Sequence, residues 1–134
     1  MLVVRSETLP VCSEHDIVLS RQAVRRACQE VAFGLVEQTK MITAASELAR
    51  NTVVYGGGGF MLLEVLQSGG RDGIRLRFED RGPGIPNIEQ ALTDGWTSGK
   101  GLGLGLSGAR RLVNEFDIAS TPGEGTTVTI ARWK

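Results

Sequence analysis

The feature that most constrains this chain is where its glycines stand. Eighteen of 134 residues are glycine, about 13% against a usual ~7%. They bunch at residues 56–59, 69–73, 82–84, 99–108 and 123–125. Each bunch interrupts any helix or strand that meets it, so regular elements are confined to the intervals. Clustered glycine serves either tight turns or backbone brought close to a ligand.

The intervals read clearly. Residues 2–8 alternate loosely and predict an edge strand that Pro10 ends. Ser13 or Glu14 opens a helix to about Phe33, with Ile17, Val24, Cys28 and Val31 on one face and Arg25 and Glu30 outside. Gly34 stops it. A second helix runs from about Glu37 to Tyr55, its stripe made of Ile42, Ala45, Leu48, Ala49, Thr52 and Val53, and ends at Gly56–Gly59. Residues 60–67 and 73–79 are strands joined by hairpin chemistry. Residues 80–103 are mostly irregular, with a short helix at Ile88–Leu92. A helix from about Leu104 to Glu115 buries Leu106, Ala109, Leu112, Val113 and Phe116. Strands at Ile118–Ser120 and Thr126–Trp133 flank a turn. The order β-α-α-β-β-loop-α-β-β is not that of a doubly wound sheet. It predicts a two-layer α/β sandwich of the α+β class, a mixed or antiparallel sheet with helices on one face, as a single domain over residues 1–134.

Composition excludes several classes. Forty-one per cent apolar and 22% charged residues describe an ordered globular chain. Fifteen basic residues balance fifteen acidic ones, leaving no footprint for nucleic acid or an anionic membrane. Cys12, Cys28 and His15 match no zinc spacing, and the cysteines read as reduced thiols. The N-terminus lacks the build of a signal peptide. No apolar run approaches the ~20 residues that span a bilayer. The expectation is a soluble cytoplasmic protein with neither nucleic acid nor membrane as partner.

Four constellations carry possible chemistry. Glu47 and Asn51, four apart on a helix, share a face at the margin of the buried stripe. A carboxylate there can act as a general base and an Asn oxygen can hold Mg²⁺; a polar pair on a wetted face would look the same. Asp80 ends a strand and opens Asp80-Arg81-Gly82-Pro83-Gly84-Ile85, a rigid turn. Its carboxylate can accept from an exocyclic amine, as adenine offers, or simply belong to a loop. Gly99-Lys100-Gly101-Leu102-Gly103-Leu104-Gly105 runs into a helix. Backbone amides at such an end bind phosphates and Lys100 adds charge, though neither the Walker A nor the Rossmann spacing is present. Gly125-Thr126 opens the last strand, with Thr126 placed to meet a ligand or water beside Asp80, or to form an ordinary hairpin.

Taken in order, Glu-x-x-x-Asn, Asp-x-Gly-x-Gly, Gly-x-Gly-x-Gly and Gly-Thr resemble the GHKL ATPases, which include histidine kinase ATP domains, gyrase B and MutL. The resemblance spans about residues 40–130. It implies the Bergerat ATP-binding fold, with ATP and Mg²⁺ as cofactors and a short ATP lid between Ile85 and Lys100. By that resemblance Asn51 holds Mg²⁺ and Glu47 is the base. Asp80 reads the adenine amine, Gly82, Gly84 and Ile85 shape the pocket, Lys100 to Gly105 wrap the phosphates, and Thr126 supports the adenine.

The match narrows further. His15 stands in Ser13-Glu14-His15-Asp16, not in a dimerisation hairpin, so a sensor histidine kinase is not expected. Ala45–Asn51 followed by Tyr55-Gly56-Gly57-Gly58, with Glu79–Pro86, is similar to the RsbT-type serine/threonine switch kinases and the related anti-sigma regulatory factors. The implied function is an ATP-dependent kinase of a bacterial partner-switching, stressosome-like module. It would phosphorylate Ser or Thr on a STAS-domain antagonist and, once released, activate a PP2C-type phosphatase or another output protein. The alternative is an anti-sigma factor that sequesters a sigma factor and phosphorylates an anti-anti-sigma protein.

Overall fold

The computed structural model describes residues 1–93 and 105–134. In chain order the elements are β1 (Leu2–Val11), α1 (Glu14–Glu30), α2 (Leu35–Val54), β2 (Gly59–Ser68), β3 (Arg71–Asp80), α3 (Ile88–Ala91), α4 (Leu106–Arg111), β4 (Glu115–Thr121) and β5 (Gly125–Trp133). The five strands form one sheet in the order β1-β2-β3-β5-β4. Every neighbouring pair is antiparallel, which settles the sheet as antiparallel rather than mixed.

Strand alternation sorts the sheet into two faces. Met61, Leu63 and Val65 of β2, Ile74, Leu76 and Phe78 of β3, and Val128 and Ile130 of β5 are buried in one cluster with Met41, Ala45, Leu48 and Ala49 of α2 and Val24 and Cys28 of α1. The other face carries polar cross-strand pairs such as Arg75–Glu64, 2.8 Å apart. Helix α1 opens on a Ser13 cap: Ser13 Oγ accepts from Asp16 N at 3.2 Å, and Asp16 Oδ2 accepts from Cys12 N at 2.9 Å. One orphan amide at the helix start is thereby satisfied, and the residue before the cap is tied back to the first turn. Burial pushes the Cys28 thiol up to about 12, so it stays an inert core sulfur.

Two boundaries differ most from expectation. Pro10 does not end β1; the strand continues to Val11, with Pro10 opposite Phe60. β1 is an edge strand, where a residue without an N–H is tolerated. The helix expected over 104–115 is described only from Leu106 to Arg111. Asn114 N donates to Ala131 O at 3.0 Å, and Asn114 Oδ1 accepts from Trp133 N at 2.7 Å. The free edge of β5 thus captures the chain, and Phe116 pairs with Ile130 in β4 instead of continuing a helical face. The apolar residues 112, 113, 116 and 118 fit either period until the neighbouring strand is known. No described helix is long and apolar enough to cross a membrane.

Candidate active site

A cavity opens between α2 and the helix-side face of the sheet, lined by Asn51, Tyr55, Asp80, Ile85, Leu106 and Thr126 among others. The strand register assembles part of it. Asp80 ends β3 directly opposite Thr126 of β5, and Thr126 is opposite Ser120 of β4. Directly opposed residues share a face, so the three side chains form one row across the sheet. Asn51 approaches from α2, and Phe78 and Val128 continue the wall with apolar surface.

The turn after Asp80 is held at every step. Asp80 Oδ1 accepts from Gly82 N at 2.9 Å. Pro83 O accepts from Gly123 N at 2.8 Å. Tyr55 Oη donates to Gly84 O at 3.1 Å. Ile85 N donates to Ser120 Oγ at 2.7 Å. Two glycines have steric reasons to be there. A Cβ at Gly82 would stand 2.7 Å from the Cα and O of Gly56, and Gly84 has φ +76 with Thr121 O 2.5 Å from where its Cβ would sit. The glycines of 56–59 and 82–84 therefore let backbone meet backbone around Asp80, one layer behind the cavity wall.

Burial raises the Asp80 carboxyl above its ordinary 3.8. Desolvation is the largest cause, opposed by the backbone amides of Gly82 and Thr126 and reinforced by Glu79. A half-buried acceptor in a largely apolar cavity with few polar groups is the arrangement that reads a donor on a ligand.

Four of the residues expected at a nucleotide site, Asn51, Asp80, Ile85 and Thr126, line this cavity. Glu47 is half-buried on α2 and lies against Gly105. Gly105 caps α4 with φ 64, and a Cβ there would be 2.5 Å from Glu47 Oε2. Lys100, Gly101, Leu102, Gly103 and Leu104 lie outside the described residues, as does the expected lid from residue 94 onward. The sequence does not single out Ser120, and Tyr55 enters it only as a helix end and a motif residue. The signal for Ser120 is the β4–β5 register, which no spacing in the sequence displays. For Tyr55 it is a hydroxyl at the end of a helix whose next residues must pass Asp80.

The fold and this site define the class. The sequence profile of the histidine kinase-, DNA gyrase B- and HSP90-like ATPases matches residues 36–134, and the chain belongs to that family, an ATP-using one. Among individual proteins, it is 42% identical over 123 residues to the serine/threonine-protein kinase RsbT of Bacillus subtilis (strain 168), covering 92% of each chain. It is 30% identical over 123 residues to an anti-sigma F factor of Pasteuria penetrans, covering 87% of this chain and 81% of that one. The crystal structure of the RsbU and RsbW domains of a Mycobacterium tuberculosis protein superposes with a TM-score of 0.65 at 20% identity, over 98% of this chain but only 33% of that one. The SiaB-SiaC complex of Pseudomonas aeruginosa superposes with a TM-score of 0.56 at 10% identity, over 98% and 91% of the two chains. These two structures share the fold. The expected kinship with RsbT-type kinases and anti-sigma factors, and the expected sandwich, are both met.

Proposed function

We propose that the chain is a protein serine/threonine kinase of a partner-switching module. It transfers phosphate from ATP to Ser or Thr of a STAS-domain antagonist. Released from that antagonist, it engages a PP2C-type phosphatase or another output protein. The observation that carries this reading is the Glu47 carboxylate resting against Gly105, at the end of the glycine run and one helical turn from Asn51. This approach supports reading Glu47 as the base, with Asn51 as the hard oxygen ligand and Asp80 as the carboxylate that reads the adenine. The described elements share one core, which supports reading residues 1–134 as one ATP-binding domain.

The roles follow from chemistry. Asp80 accepts from the adenine amine, with Ile85 and Thr126 beside it and Gly82 and Gly84 fixing the turn. The run Lys100, Gly101, Leu102, Gly103, Leu104 and Gly105 supplies backbone amides and one cation to the phosphates. Asn51 holds Mg²⁺. The donor fits: Asn51 offers a hard oxygen, and Mg²⁺ takes few protein ligands when phosphates supply the rest. ATP with Mg²⁺ supplies the phosphoryl group and neutralises its charge. Glu47 takes the proton of the acceptor hydroxyl as its oxygen bonds phosphorus and ADP departs.

The test is transfer from labelled ATP to a STAS-domain protein. Glu47→Ala should cut transfer about 10²–10⁴-fold and leave ATP affinity unchanged in calorimetry. Undiminished transfer would remove Glu47 from the chemistry. The likeness to an anti-sigma F factor supports a second reading, sequestration of a sigma factor. Recovery of a sigma factor in a pull-down, with no transfer to a STAS protein, would put that reading first.

A further inference from the structure

Ser120 is drawn into three contacts at once. Its Oγ accepts from Ile85 N at 2.7 Å, lies 3.2 Å from Gly125 O, and lies 2.8 Å from Thr126 Oγ1. A hydroxyl has one proton to give and two lone pairs to receive. Gly125 O has no proton, so the Ser120 proton must go there for that bond to exist. Both Ser120 lone pairs then receive, one from Ile85 N–H and one from the Thr126 hydroxyl. Only this arrangement satisfies all three contacts.

The arrangement decides what Thr126 offers to the cavity it lines. Thr126 is 8% exposed, and its proton is committed to Ser120. It therefore presents lone pairs towards the cavity, beside Asp80 in the same cross-strand row. We infer that Ser120 is a specificity-determining positioning residue: by holding the Thr126 proton, it makes this row acceptor-only and so favours a 6-aminopurine over a 6-oxopurine. An exocyclic amine brings donors to such a row. A 6-oxo group puts an acceptor where the row offers no donor, and the N1–H beside it supplies one donor where the amine supplies two. Leaving a buried polar group unmatched separates ligands more strongly than shape alone. This inference rests on the nucleotide reading of the cavity and names what Ser120 adds to it.

The experiment compares ATP with inosine triphosphate, which carries a 6-oxo group in place of the amine, by titration calorimetry. The wild-type chain should prefer ATP. Ser120→Ala frees the Thr126 proton to turn towards the cavity, and the preference should fall about tenfold. Ser120→Thr keeps a hydroxyl and should restore it. In a Thr126→Val background Ser120→Ala should change the preference less than twofold, because the two residues act through one another. Should Ser120→Ala not fold, Ser120→Cys keeps the shape but accepts hydrogen bonds poorly, and should show the same loss. A general loss of stability would weaken both nucleotides alike and leave the ratio unmoved. An unchanged ratio in a folded Ser120→Ala or Ser120→Cys protein overturns the inference, as does an equal effect in the Thr126→Val background. If Asp80→Asn leaves ATP affinity at the wild-type value, the adenine does not sit against Asp80 in this cavity, and the inference fails with that placement. If Asp80→Asn abolishes binding while the Ser120 ratio stays fixed, only the Ser120 inference falls.

Discussion

Asp80 is a residue kept at a cost to the fold. Its folded-state pKa is raised, chiefly by desolvation, so the ionised form is less favoured in the folded chain than in the unfolded one. The stability linked to this group is fully present below the unfolded pKa, and is lost as pH rises through the folded value. At neutral pH the carboxylate therefore destabilises the unliganded protein. Asp80→Asn keeps an oxygen for Gly82 N and removes the charge. Its melting temperature in scanning fluorimetry should equal or exceed the wild type at pH 7, and the gain should vanish in acid. ATP affinity should fall at least tenfold in the same variant, because a hydrogen bond to a charged acceptor contributes about 1.5–3 kcal/mol. A lower melting temperature would mean that Asp80 holds the fold rather than the ligand. The wild type should also lose ATP affinity as pH falls through the raised Asp80 pKa, since the protonated carboxyl exchanges a lone pair for a proton. A binding profile flat across that range would contradict the assignment.

At the scale of elements, the turn after β3 carries the site because glycine lets it press on the end of α2. Gly82→Ala puts a Cβ 2.7 Å from Gly56 backbone atoms. Backbone does not swing away as a side chain can, so the loss should be about 1–3 kcal/mol in urea unfolding. An unaffected midpoint would show that the turn is looser than described. Most elements were legible from spacing alone: the α2 stripe, the β2–β3 hairpin and the alternation of β3 all stand where periodicity put them. What periodicity could not supply was partner identity. Pro10 reads as a stop even in a strand expected at an edge; only the pairing with Phe60 shows that β1 runs on to Val11. Leu112, Val113 and Phe116 read as a helix face unless β5 is known to have a free side. Asn51 was legible as a polar residue at the margin of an apolar helix stripe, and Asp80 and Thr126 as polar residues at strand ends with glycine close by. Ser120 was not, because its role exists only through the β4–β5 register.

At the scale of the whole molecule, one antiparallel sheet with α1 and α2 on one face leaves an opening where α2 ends, β3 ends and β5 begins. Those three termini bring Asn51, Asp80 and Thr126 together from positions far apart in sequence. The glycine clusters at 56–59, 82–84 and 123–125 thus meet around that opening. Phosphotransfer tests the central claim most directly. The wild-type chain, mixed with labelled ATP and a STAS-domain protein, should label a Ser or Thr of that protein. Glu47→Ala, matched for ATP occupancy, should label it about 10²–10⁴-fold more slowly. Equal labelling by the two proteins at equal occupancy would contradict the account.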